Sequence, residues 1–531
     1  MTTTSPTSSP TARPDPPREA PAPWWHGFVD GLVAGLLTVG LATLFAAALV
    51  ATGSSGGQPA PIAAVSGAFI DRTPAWLKDF AIATFGTNDK RALLIGTVVV
   101  LAVVCGLVGM LARRRLTAAL LAFALLGVVG TAAVLTRPGA ASLDIIPTVL
   151  GVVGGLWFLS RSHPTATAAS ATGTGAANPA RRWLVGAVVG GGAAYLAGLL
   201  GKGSSAATAS REAVAQAPVT VTAADTVTIP PGADLKIPGL TPFVVPNDDF
   251  YRIDTAIVVP RVDTAQWSLK VTGMVDREVE IDWATLQSKP MQEALVTLMC
   301  VSNEVGGDLT GNAVWTGWPV RDLLAMAGPK AGADMVLSRS VDGFTAGTPL
   351  EALTDNRNAL VAIRMNGEPL PFEHGFPARI VVPGLYGYVS ATKWVSELKV
   401  TTFAADQGYW TPRGWSALGP VKTESRIDVP RAGASVKAGK VAVAGVAWAQ
   451  HRGISKVEVQ VDQQPWTEAR LAVDASIDAW RQWVYEWDAT PGSHDVRVRA
   501  YDSTGEPQSP LEAPPAPDGA TGIHVVTVRV E

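Results

Sequence analysis

Thr297-Leu298-Met299-Cys300-Val301-Ser302-Asn303-Glu304-Val305-Gly306-Gly307 is the stretch on which the reading of this chain turns. Ala294-Leu295-Val296-Thr297-Leu298 reads as a short buried strand that ends at Cys300, and a glycine-rich loop follows. The chain holds two cysteines, and the other, Cys105, lies inside an apolar run. The hydrophilic part therefore keeps a single thiol, with no partner on that side for a disulfide. A buried cysteine commonly serves as a small hydrophobe. The competing reading is a thiolate that binds or reacts, and the rest of the sequence has to decide.

The 531 residues are 47% hydrophobic and only 16% charged. That average hides a division. The first 200 residues are mostly Ala, Val, Leu and Gly, whereas the last 300 resemble a soluble protein rich in Trp, Pro and Gly. The net charge of −3 gives no electrostatic reason for a nucleic-acid partner. Residues 1–22 are rich in Pro, Ser and Thr and are expected to be disordered.

Five apolar runs, at 28–51, 92–112, 116–135, 143–160 and 183–201, are long enough or nearly so to cross a bilayer. Placing Arg113-Arg114-Arg115 and Arg181-Arg182 in the cytoplasm fixes an orientation. The N-terminus lies inside, 52–91 outside, 161–182 inside, and everything after about residue 202 outside. The expected setting is a multi-pass protein in the lipid bilayer of a bacterial plasma membrane. Asp30, Asp144, His26 and His163 lie at span ends, which favours an anchor over a transporter and leaves no interior histidines for a haem. Arg181-Arg182-Trp183 also resembles a twin-arginine export signal, which would carry an already folded, cofactor-loaded domain. Charge bias alone explains the same pair, and both readings stand.

Residues 202–235 read as a small-residue, polar linker. From 236 to 415 the pattern is mixed α/β. Trp267–Gly273 alternates like a strand, Asp282 caps a helix start at 281–286, and Val320–Ala327 is a helix stopped by Gly328-Pro329. From 416 to 531 the pattern is all β, with strands at 441–445, 457–461, 483–487 and 494–500 spaced as in a sandwich.

Several blocks stand in order along this outer part. They are Phe250-Tyr251-Arg252, the Cys300 stretch, Gly311–Val320, Asp342-Gly343-Phe344, Met365–Pro371, His374–Arg379, Val382-Pro383-Gly384 and Lys393-Trp394, then a Trp-rich tail. Together they resemble the sulfite oxidase family of molybdenum enzymes over about 236–531. The resemblance implies an α+β molybdopterin-binding domain followed by an all-β immunoglobulin-like sandwich used for dimerisation, here behind N-terminal all-α transmembrane helices. It implies a molybdenum-molybdopterin cofactor, with the metal held by the paired sulfurs of one pyranopterin and by one protein thiolate. Cys300 falls on the ligand cysteine and Asn303 on the family's Cys-x-x-Asn step. A soft thiolate suits such a metal, whose charge keeps the sulfur deprotonated. Arg252, His374, Arg379 and Lys393 fall where cofactor contacts are implied. Gly384, Gly387 and Ser390 lie in a loop where backbone N–H groups approach an anion. Trp315, Trp318 and Trp394 read as core.

The substrate side departs from the family. An Asn-Arg-Arg run is usual after the ligand cysteine, but Glu304 and Val305 follow Asn303 here. Ile363 stands where a tyrosine is usual, and Ile253-Asp254 replaces Asn-His. Glu304 would repel an anion; Arg364 or Arg357 are candidates to supply positive charge instead, although a solvated surface charge is the reading favoured for both. No haem is expected, so electrons pass to or from a separate partner. The expected function is a membrane-anchored oxidoreductase on the extracytoplasmic side. It moves an oxygen atom to or from a small sulfur oxo-compound, with sulfite to sulfate as first choice and sulfoxide reduction as the alternative. A non-enzymatic surface binding protein is the reading from another class.

Overall fold

The structure is a computed structural model that describes residues 23–52, 54–55, 58–74, 77, 84, 89–137, 140–162, 179–202 and 205–531. The tail 1–22, expected to be disordered, lies outside them. The chain divides into two compact units. One is Met1–Ser66 with Arg91–Thr136 and Ala141–Leu199; the other is Leu200–Glu531 with the short segments Gly67–Lys90 and Arg137–Ala140.

The first unit is helical. Trp24–Val50, Ala92–Ala112, Leu116–Leu135, Ser142–Ser162 and Pro179–Leu200 are long and apolar enough to cross a membrane. Their bounds fall within a few residues of the runs read from sequence. Small residues let backbones meet. A Cβ on Gly31 would lie 1.9 Å from the Cys105 carbonyl oxygen, and one on Gly40 would lie 2.0 Å from that of Gly190. The structure also shows a clasp that the spacing of charges did not announce. Asp30 is fully buried and pairs with Arg113 at 3.3 Å and Arg182 at 3.7 Å, and it accepts the indole N–H of Trp183 at 2.7 Å.

The second unit is built mainly of sheets. In one, five strands run in the spatial order Val279–Asp282, Ser268–Gly273, Val395–Thr401, Met335–Ser340 and Thr345–Pro349; only the second and third pair in parallel. The other runs Gln292–Met299, Thr310–Pro319, Leu360–Met365 and Glu368–Pro369, with Arg379–Val381 also on Leu360–Met365. Local chemistry sets the ends. Asp282 accepts the Thr285 N–H at 2.8 Å to start the helix Trp283–Gln287. Gly328, at φ 70°, ends Val320–Ala327.

The C-terminal region is two sheets over a common core. Glu424–Val429, Gly439–Trp448, Arg481–Ala489 and Arg470–Leu471 form one; Ser435–Val436, His524–Val530, Gly492–Asp502, Ile454–Val461 and Thr467–Glu468 form the other. Val443, Trp483 and Trp487 from the first meet Val457, Val498 and Val528 from the second. This region is also fused to the α/β part. Trp448 and Trp480 share a core with Leu295 and Leu298. The Thr297 N–H donates to Asp478 O at 2.9 Å and Gln450 Nε2 donates to Thr297 O at 3.1 Å, so the exposed edge of Gln292–Met299 is covered. The strand is consequently buried without interruption from Ala294 to Met299.

The linker expected at 202–235 is corrected in part. Ser205–Gln216 is a helix, Val214 belongs to the core, and Arg211 donates to Leu370 O at 2.9 Å and Pro369 O at 3.0 Å. Small residues looked like a spacer, but Ala is the best helix former, and two well-placed anchors suffice to dock the segment.

Candidate active site

Cys300 follows directly on Gln292–Met299 and is 8% exposed. Its N–H donates to Leu309 O at 2.9 Å and its carbonyl accepts the Asn303 N–H at 3.1 Å. Asn303 spans the base of the loop. Its Oδ1 accepts the Leu309 N–H at 2.7 Å, and its Nδ2 donates to Glu304 O at 3.0 Å. The two glycines have separate reasons. Gly306 has φ +79° and lies against His524, whose ring a Cβ would meet at 2.3 Å; a Cβ on Gly307 would press on Asn303 Oδ1 at 2.7 Å. The loop therefore holds the sulfur in one place. Burial pushes the thiol pKa up, whereas the Ser302 N–H and hydroxyl and the Lys393 charge favour the thiolate.

Three cations converge on this neighbourhood from distant segments. Arg379, on Arg379–Val381, is buried. It donates to His374 O at 3.2 Å and Ala391 O at 3.5 Å, and its guanidinium lies 4.9 Å from the Trp315 ring centroid. Lys393 donates to Glu373 O at 2.9 Å and to Asp254 Oδ2 at 3.1 Å. Arg252, at the rim, donates through Nε to the same Asp254 oxygen at 3.0 Å. Desolvation lowers Lys393 to about 8 and Arg379 to about 10.

His374 ends the short helix Phe372–His374 and is buried. Burial and then the charges of Lys393 and Arg379 hold its pKa near about 3, so the ring is neutral. Nε2 lies 3.2 Å from Asn247 O and must carry the proton. That leaves Nδ1 as a bare lone pair, without a partner among the described residues, as is Arg379 Nε. Phe250 packs edge-on against both Trp315 and His374, at 5.8 and 5.5 Å between centroids, and walls the cluster off.

These orphaned groups test whether a molybdopterin fits. Arg252, Lys393 and Arg379 against Asp254 leave two positive charges, matching the −1.5 to −2 or so of a phosphate monoester. The lone pair of His374 suits an N–H edge, and Arg379 Nε is a spare donor. Among the described residues no group of three or more His, Cys, Asp or Glu is arranged to hold a metal. Cys300 alone cannot retain a bare ion, so a metal here requires ligands from an organic group. The donor set fits.

The structure does not bring every expected residue into the cluster. Ser390 spends its hydroxyl on Leu385 O and Tyr386 O, at 3.2 and 2.9 Å. Gly384, at φ +83°, abuts His451 and Gln450 O instead. Asn303 acts on the loop, as described. Arg357 is held by Asp355 and Pro383 O, and Arg364 by Val214 O and Ala217 O at 2.7 and 2.8 Å, so neither replaces the lost anion-binding charge. Two residues were not anticipated as site residues. Tyr251 stacks on Phe250 at 5.2 Å, and its phenol pKa is raised by burial and then by the Cys300 charge. Asp254 bridges two cations. Tyr251 lay within a recognised block, so adjacency to Arg252 was the available signal; Asp254 was visible only as a departure.

Comparison with known proteins follows the same segments. The family model described as oxidoreductase molybdopterin binding domain matches residues 256–410. The sulfite oxidase of Gallus gallus is 28% identical over 323 residues, covering 51% of this chain and 69% of that one. The oxidoreductase YuiH of Bacillus subtilis is 33% identical over 157 residues, covering 30% of this chain and 76% of the relative. The chain spans about half the length of the mouse and human mitochondrial sulfite oxidases it also matches. Among solved structures, the sulfane dehydrogenase SoxCD of Paracoccus pantotrophus aligns at TM-score 0.47 and 23% identity, over 54% of this chain and 83% of that one.

Proposed function

We propose a reaction class from one premise: the chain belongs to the sulfite oxidase family of molybdopterin-dependent oxidoreductases. It is an oxidoreductase, and its reaction is oxygen-atom transfer at a small sulfur oxo-compound. The observation that carries this is the convergence of Cys300, the three cations and neutral His374 on one buried place. The bound cofactor supplies the two-electron oxygen-transfer chemistry. The chain's own residues do the rest. The Cys300 thiolate is the protein ligand, held by the Asn303 loop. Arg252, Lys393 and Arg379 take the anionic end, and His374 Nδ1 accepts an N–H. Gly384 and Ser390 take no part, since the one abuts His451 and the other spends its hydroxyl on Leu385 O and Tyr386 O, and Phe250 and Trp315 exclude water.

Sulfite oxidation, in which sulfite and water become sulfate, two protons and two electrons, rests on the likeness to sulfite oxidases. Sulfoxide reduction is favoured by a specific observation: Arg357 and Arg364 are committed elsewhere and Glu304 is exposed in the Cys300 loop, so neither arginine offers its charge to an oxyanion. The five apolar helices anchor the enzyme in a bacterial plasma membrane, with the site outside the cytoplasm and Arg181-Arg182 on the inner side. A separate carrier exchanges the electrons, and the immunoglobulin-like C-terminal region is the surface for a homodimer. Metal and pterin analysis of the purified chain, then a panel of sulfite and sulfoxides with artificial electron acceptor and donor, tests this reading. One molybdenum per chain with turnover supports it; a metal-free, pterin-free protein overturns it.

A further inference from the structure

Asp254 is the residue at which the sequence departs from its family and the structure adds something. Its side chain is 5% exposed, and a single oxygen, Oδ2, receives Arg252 Nε at 3.0 Å and Lys393 Nζ at 3.1 Å. The two cations come from segments about 140 positions apart in the chain. Lys393 is anchored on its other side by Glu373 O at 2.9 Å, and the same turn ends in His374. Arg379 is tied to His374 O, so every cation of the cluster is placed before any anion arrives.

We propose that Asp254 is a positioning residue for the cofactor: through one carboxylate oxygen it gathers Arg252 and Lys393 into a preformed pair of donors for the cofactor's anionic end. The inference rests on the reading of the site given above. Its physical basis is that side chains ordered before the anion arrives lose less conformational freedom on binding, and that a buried ammonium needs a counter-charge beside it. Burial and three charged residues act on Lys393, and the Cys300 sulfur faces it as well. Burial lowers its pKa, Asp254 raises it by charge and hydrogen bond, and Arg379 and Arg252 lower it, for a net value of about 8. Removing the carboxylate takes away the hydrogen-bonded counter-charge that holds the ammonium beside Arg252. A carboxylate among cations placed for a phosphate opposes the ligand's charge. Here it costs one positive charge of three, and in return two flexible side chains are already ordered and charged.

The test compares the full-length holoenzyme with Asp254→Asn and Asp254→Glu. Molybdenum and pterin retained after gel filtration are measured near neutral pH. Asp254→Asn should retain about tenfold less of both than the wild type, and Asp254→Glu, which can still bridge the two cations, should restore retention. Circular dichroism confirms that each variant is folded. If the folded Asn variant retains as much cofactor as the wild type, the proposal is wrong. A wild-type protein that never contains cofactor instead overturns the reading of the site itself.

Discussion

Two buried thiols sit in opposite surroundings. Cys105 and Cys300 are 2% and 8% exposed. Around Cys105 the neighbours are backbone and small side chains: a Cβ on Gly35 would touch its sulfur at 2.8 Å, and one on Gly31 its carbonyl at 1.9 Å. Around Cys300 the neighbours are a hydroxyl, an ammonium and a phenol. Burial therefore does not distinguish a packing cysteine from one proposed as a ligand. What distinguishes them is whether the surroundings can accept a negative sulfur and still hold polar atoms in reserve.

The comparison breaks most sharply under paired substitutions. Cys300→Ser should lower turnover by more than about 100-fold and strip the metal while far-ultraviolet dichroism stays unchanged. Cys105→Ser should leave turnover intact and cost about 1 kcal/mol of stability at most. Equal losses of activity from both would mean that the Cys300 effect is structural.

Glycines give the next contrast. Gly306→Ala forces a Cβ at φ +79° into the His524 ring, and destabilisation of about 1–3 kcal/mol is expected from the soluble unit. Because the loop fixes the sulfur, cofactor content should fall along with the melting temperature. Gly31→Ala should instead loosen helix packing in the other unit with little change in molybdenum per folded chain. A Gly306→Ala protein with wild-type stability and metal content would detach the loop from the thiolate.

Much of this contrast was written in the sequence. The spans, the strand before Cys300, the Asp282 cap and the Gly328 stop follow local rules of length, alternation and capping. The cluster of Arg252, His374, Arg379 and Lys393 was reachable only through motif likeness, because no local rule brings 252 beside 393. Charge pairing was the least legible. Asp30 reads as a span-end residue, yet it is buried under two arginines; Arg364 reads as a surface charge or a substitute anion-binding one, yet it caps the helix Ser205–Gln216. Ion pairs depend on tertiary neighbours, and sequence spacing carries no record of them.

The site also predicts a pH signature. Lys393 is lowered from its ordinary 10.5 to about 8. Between those values the unfolded chain binds more protons than the folded one, so apo-protein stability should rise with pH across that window. A bound anion would raise Lys393 back toward its ordinary value, so the holo form should gain less stability across that window. His374, lowered to about 3 from 6.5, removes stability as pH falls through that range, and the neutral ring keeps its acceptor. Chemical denaturation of apo and holo forms between pH 4 and 10 checks both limbs. Parallel apo and holo curves above pH 8 would remove Lys393 from cofactor binding.

Glu424 sharpens the comparison from the other side, because it is a buried ionisable group with no cofactor to serve. It is 3% exposed, its Oε1 has no hydrogen-bond partner among the described residues, and burial raises its pKa to about 8, with Lys422 pulling the other way. A raised carboxyl binds its proton more tightly when folded. Stability contributed by this group is therefore lost as pH climbs from about 4.5 to 8, opposite in sign to Lys393 above 8. Glu424→Gln removes the titration while keeping the shape. It should stabilise the protein at pH 8 by about 1 kcal/mol, leave it nearly unchanged at pH 5, and leave molybdenum content and turnover at wild-type levels. If Glu424→Gln instead lowers cofactor content as Asp254→Asn is expected to, then buried charge in the C-terminal sheets is coupled to the site, and the division between charges that serve the cofactor and charges that serve the fold does not hold.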